Sequence, residues 1–131
     1  MTELDALLAE AGRRGFLWHQ FRVDEHGPDV LAGLYRWPTC ADVVVLLDEN
    51  TSHAYRVPLD AADVFAPTHV HWGYYQPPQV SAVWVLRALL TIPRPDEPGG
   101  LGPLTPAPEG TVVPGARVPV RLRRRSTVGS T

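Results

Sequence analysis

At 131 residues the chain is the size of one domain, and its 44% hydrophobic content excludes disorder throughout. A net charge of −2 provides no overall field to recruit nucleic acid, but residues 1–92 carry 11 acids against 6 arginines while residues 93–131 carry 3 against 6. All 12 basic side chains are arginine, which excludes Schiff-base chemistry on lysine and phosphate loops that use one.

Cys40 is the only cysteine, so no intrachain disulfide forms. The start, Met1-Thr2-Glu3-Leu4-Asp5, is acidic and has neither the basic nor the apolar region of a secretion signal. The apolar runs fall short of the roughly 20 residues that span a bilayer. These features together predict a cytoplasmic chain with no membrane contact.

In chain order, Thr2 reads as a helix cap with acids in the first turn, and Leu4, Leu7, Leu8 and Ala11 recur at helical spacing until Gly12-Arg13-Arg14. Phe16–Val23 and Val30–Trp37 are rich in aromatic and β-branched residues and read as strands, joined by the turn residues 24–29. On the second of these, Leu31, Gly33, Tyr35 and Trp37 share a face. Val43–Leu47 is an uninterrupted apolar run between Asp42 and Asp48, which predicts a central strand covered on both faces. Asp48-Glu49-Asn50-Thr51 supplies a turn, and His53–Val57 returns as the second arm of a hairpin.

Pro58–Phe65 reads as a short helical turn and Thr68–Tyr75 as a fifth strand. Ser81–Thr91 has a cap serine, eleven residues and a stop before Pro93, which predicts a helix. Only Arg87 interrupts its apolar surface, so the sheet or a partner must cover most of it. Between Pro93 and Pro119 lie eight prolines and five glycines, a composition that favours an extended arm. Val118, Val120 and Leu122 then alternate with Pro119, Arg121 and Arg123, as on an edge strand. The expected fold is α+β: a compact domain over 1–92 and a Pro/Gly-rich arm with a basic end over 93–131. Its core is a mostly antiparallel meander of four or five strands with an N-terminal helix and a second helix near 81–91.

Several residues invite a chemical reading. His69 and His71 stand two apart on one expected strand, so both imidazoles project from the same face, as in a metal site. The residues that follow, Trp72-Gly73-Tyr74-Tyr75-Gln76, lack the carboxylate that cupin-like and metallo-β-lactamase-like sites add. Ordinary hydrogen-bonded histidines are the competing account. Cys40 reads as a small buried hydrophobe, since no helix N-terminus or oxyanion loop adjoins it. The aromatic residues, Trp18 and Trp84 among them, read mainly as core; Trp72, Tyr74 and Tyr75 around Gly73 also suit a binding patch. Arg121, Arg123, Arg124 and Arg125 form a basic run with no interleaved aromatic, suited to salt-sensitive, sequence-independent phosphate contacts.

No nucleophile, base and phosphate cradle converge in the sequence, so the expected function is non-catalytic, with no cofactor. It is a small protein-interaction or adaptor domain that contacts a partner protein, or a second copy, through its C-terminal arm. The alternatives are a metal-dependent enzyme or small-molecule binder centred on His69 and His71, and nucleic-acid association through the arginine run.

Overall fold

A computed structural model describes residues 2–22, 29–48, 51–61, 63–74, 81–108 and 118–121. Helix α1 spans Glu3–Arg14 and opens on a reciprocal capping box: the Asp5 N–H donates to Thr2 Oγ1 (3.2 Å), and the Thr2 N–H donates to Asp5 Oδ2 (3.2 Å). The helix runs past Gly12 and stops at Gly15, whose φ of 106° lies in the left-handed region; its N–H meets the Ala11 and Gly12 carbonyls. The helix thus closes at Gly12-Arg13-Arg14 as expected, with Gly15 rather than Gly12 as the capping glycine. Glycine alone does not end a helix, whereas a left-handed residue that turns the chain does.

Strands β1 (Leu17–Arg22), β2 (Asp29–Arg36), β3 (Cys40–Asp48) and β4 (Thr51–Pro58) form the expected antiparallel meander. The expected fifth strand is broken. His69–Val70 (β5) and Trp72–Tyr74 (β6) are separate, and only β6 joins the main sheet, against β4. Helix α2 follows at Ala82–Thr91, with Ser81 Oγ accepting the Trp84 N–H. β7 (Thr105–Pro106) pairs with β5, and β8 (Val118–Arg121) pairs with the outer side of β1, giving the order β6-β4-β3-β2-β1-β8.

β3 is central, and Val43, Val44 and Val45 are fully buried. Alternation sends Val44 and Leu46 to one face and Val43 and Val45 to the other. Both helices cover the first face: Ala11, Ala82, Val85, Leu86, Leu89 and Leu90 pack on Val44 and Ala54. Each such fully buried Val or Leu contributes about 1.5–3 kcal/mol. Trp18 lies across its strand partner Gly33, where an added Cβ would come within 2.7 Å of the indole. This contact explains a glycine inside a central strand.

Among the described residues no helix covers the second face. Leu59, Ala61, Val64 and Phe65 cover it, with Val70 and Ala107 beside them. The Pro58–Phe65 stretch consists of turns closed by Ala61 N–H to Pro58 O (3.2 Å) and Ala66 N–H to Asp63 O (3.0 Å). Buried Tyr55 holds it down by donating from its hydroxyl to Val64 O at 2.6 Å, and Phe65 meets Phe21 edge-on at 4.9 Å. The loop and the arm thus complete the core within one chain.

Candidate functional site

The residues that suggested chemistry do not form one cluster. His69 is exposed on β5, with Nδ1 3.1 Å from Thr68 Oγ1. His71 sits in the break between β5 and β6, where its N–H donates to Arg56 O (2.7 Å) and its Nδ1 to Gly102 O (2.7 Å). The premise of one continuous strand carrying both imidazoles fails at this break. Among the described residues, no group of three or more His, Cys, Asp or Glu stands together as an ion would require. Trp72 and Tyr74 are half-buried against the helix-side core, and Tyr75 lies outside the described residues. Arg121 ends β8 opposite His19; Arg123, Arg124 and Arg125 lie outside the described residues. Cys40 is fully buried, and burial pushes its thiol above the usual 9.0, the opposite of an activated nucleophile.

What the fold does bring together is a polar cluster at the Trp37 end of the sheet. Asp42 and Arg56 are direct cross-strand partners on β3 and β4, facing the helices. Arg56 is only 1% exposed. Its Nε donates to Asp42 Oδ1 (2.7 Å) and its Nη2 to Oδ2 (3.0 Å), a two-pronged pair. Trp37 Nε1 adds a third donor to Asp42 at 2.8 Å. The remaining Nη1 of Arg56 donates to Pro93 O (2.9 Å) and to Gly100 O. Two backbone carbonyls of the arm are thereby fixed to a charge in the sheet. Counting outward from the Asp48–Thr51 pair would set Asp42 opposite Val57; the register shift between Leu46 and Asp48 moves it opposite Arg56, so the turn alone does not reveal this pair.

The arm is tied down well beyond Gly100. Successive turns run from Arg94 O to the Glu97 N–H and from Glu97 O to the Gly100 N–H, each at 2.9 Å. His71 holds Gly102, Val70 pairs with Thr105, and the Ala107 N–H donates to Thr68 O at 2.8 Å. Leu101 and Leu104 nevertheless project outward, 42% and 50% exposed. The other large exposed apolar residues among those described are Leu17 and Trp84, the latter 57% exposed. Trp84 was expected in the core. It lies on the outer side of α2, stacked by Arg87, whose guanidinium carbon is 5.0 Å from the ring centroid. Arg87 also pairs with Glu3 of α1.

Beside the Asp42–Arg56 pair opens a cleft of about 300 Å³. The ends of several elements meet there: Phe16 after α1, Tyr35 and Trp37 at the end of β2, and Leu89 and Ile92 at the end of α2. The rings form a ladder, Phe16 to Tyr35 at 5.5 Å and Tyr35 to Trp37 at 4.8 Å between centroids. Arg14 and Arg94 also line the cleft. Arg14 donates from Nη1 to Leu90 O at 2.8 Å, and the Arg94 guanidinium carbon lies 5.7 Å from the Trp37 centroid.

Among the described residues, no helix is long and apolar enough to cross a membrane. Comparison of the chain with protein-family models, curated proteins and solved structures finds no match.

Proposed function

We propose that the chain is a non-catalytic protein-interaction domain that offers the tied-down stretch 101–108 of its arm to a partner protein. The observation that carries this reading is the exposure of Leu101 and Leu104, 42% and 50%, on backbone already fixed to the body. A partner that covers both leucines removes their remaining 42% and 50% exposure, about half of the roughly 1.5–3 kcal/mol that full burial of each gives. Because the arm is ordered before contact, little of that gain is spent on ordering it. The proposal places the chain in the cytoplasm, where the buried Cys40 remains a free thiol.

Capture from lysate of the source cells on the tagged full chain, compared with Leu101→Ser/Leu104→Ser and with Trp84→Ser, tests the reading, with sedimentation of the purified chain alongside. The expected result is a bound protein, or a self-associated state, that is lost in the double serine variant and retained in Trp84→Ser. An unchanged set of bound proteins and an unchanged sedimentation pattern in the double variant would sink the arm as the contact. Loss only in Trp84→Ser would move the contact to α2.

A further inference from the structure

We infer that the cleft at the Trp37 end of the sheet binds an aromatic carboxylate, a site separate from the arm contact proposed above. At about 300 Å³ the cleft is at the small end of ligand sites, with room for one ring system and a short polar group. Its walls set the body of the ligand. Phe16, Tyr35 and Trp37 present a continuous run of rings, and Leu89 and Ile92 face them with apolar surface. A flat ring inserted there meets aromatic neighbours at stacking or edge distances.

The charges set the polar group. Among the described residues Asp42 is the only carboxylate lining the cleft, and it already accepts two donors from Arg56 and one from Trp37. A cationic ligand therefore finds no spare buried acceptor. Arg56 is equally committed, to Asp42 and to two carbonyls. The other two guanidiniums lining the cleft are Arg14 and Arg94; Arg14 Nη1 already donates to Leu90 O at 2.8 Å, so Arg14 offers its Nη2. Each holds one carboxylate at the surface, Glu10 at 3.1 Å and Asp96 at 3.4 Å, with side chains 38% and 72% exposed. Pairs that exposed are weak and yield readily to a better-placed anion. No acceptor among the described residues stands on the terminal nitrogens of Arg94. A planar carboxylate suits the two-pronged end of Arg94, with Arg14 Nη2 as a further donor.

The same chemistry arises from a free aryl carboxylate or from a chain ending in an aromatic residue. Titration calorimetry of the full chain with indole-3-acetate and with N-acetylphenylalanine separates the sources, with N-acetylphenylalanine amide as the uncharged control. The Trp37 indole N–H resonance reports whether binding occurs in the cleft. Saturable binding of either acid, with a Trp37 shift and roughly tenfold weaker binding in Arg14→Gln or Arg94→Gln, is the expected result. The acid that binds more tightly identifies the source. Both arginines are exposed, and matched thermal melts establish that each variant is folded. Three results would overturn the assignment: no saturable binding of either acid, equal binding of the amide, or full affinity retained in both glutamine variants.

Discussion

Replacing Arg56 by methionine removes the centre of the polar cluster while keeping a side chain of similar length. Asp42 is then left buried with one remaining donor, the Trp37 indole N–H, and the Pro93 and Gly100 carbonyls lose their shared partner. Removing one member of a buried ion pair costs about 3–5 kcal/mol, a large part of the roughly 5–15 kcal/mol that holds a domain folded. The double variant Arg56→Met/Asp42→Leu removes both charges. Its remaining defects are the buried Gly100 carbonyl, worth about 1–3 kcal/mol, and the half-buried Trp37 indole N–H, which loses its acceptor. Neither is a buried charge, so the double variant is expected to be more stable than Arg56→Met alone. Urea unfolding at neutral pH, followed by tryptophan fluorescence and by circular dichroism, measures the parent chain, both single variants (Arg56→Met and Asp42→Leu) and the double variant, and tests whether unfolding is two-state. Chymotryptic cleavage after Leu101 and Leu104 reads the arm directly and is expected to accelerate in Arg56→Met, because the arm loses its first anchor. If the double variant costs as much as the two single changes together, the charges act independently and the clamp is refuted. Arg56→Lys serves as a charge-preserving control: an ammonium cannot reproduce the paired donors, so it is expected to remain destabilised.

Gly33→Ala drives a Cβ to 2.7 Å from the Trp18 ring and is expected to cost about 1–3 kcal/mol in the same urea assay; Trp18→Leu in the same chain should recover part of it. At the start of α1, the Thr2 hydroxyl and N–H hold the Asp5 carboxyl below its usual 3.8, and Arg13 and Arg14 hold Glu10 below 4.5. A lowered folded-state value means that the charged form favours folding, so this support is complete above about pH 4.5 and fades as the pH falls through the lowered values. An acid titration of helix content followed in Asp5→Asn/Glu10→Gln should therefore lose this part of its pH dependence. Cys40 has the opposite sign: burial raises its thiol above 9.0, so its contribution is present below that pH and lost as the pH rises through the folded value. Ellman's reagent at pH near 8 should leave the native chain unlabelled and react fully once denaturant opens it; rapid labelling of the folded protein would contradict the burial.

The meander was legible because its signals are local. Val43–Leu47, the turn at 48–51 and the returning His53–Val57 specify a hairpin by run length and turn chemistry alone, whereas its register is shifted between Leu46 and Asp48 by an irregularity that no local signal announces. The cap serine and the Pro93 stop likewise outweighed the valines of Ser81–Thr91. What remained hidden depends on contacts between residues far apart in sequence. Nothing within Thr68–Tyr75 announces a break at His71; it becomes intelligible only once the Gly102 carbonyl, 31 residues on, occupies the imidazole. Trp84 looked like core because α2 is apolar nearly all round, and the sequence does not reveal which side meets the sheet. The cleft was hidden for the same reason, since its lining comes from elements as distant as Arg14 and Arg94.

The break and the buried pair belong to one device. Arg56 faces the helices and holds Pro93 and Gly100 on that side of the sheet, whereas Ala107 packs in the core of the opposite face beside Val70. The arm therefore passes from one face of the sheet to the other between residues 100 and 107. The break at His71 lies beside this crossing, and the His71–Gly102 bond fixes it. Leu101 and Leu104 flank that crossing, which is why they remain outside both cores although their neighbours are pinned. An ion pair suits the start of this path better than an apolar contact. Apolar packing would bury the same area in several registers, whereas the three nitrogens of Arg56 accept one arrangement of Asp42, Pro93 and Gly100. The arm's exposed leucines and the cleft's Arg94 wall both follow from that single register, so displacing Arg56 is expected to alter both sites, while changing either site leaves the clamp intact.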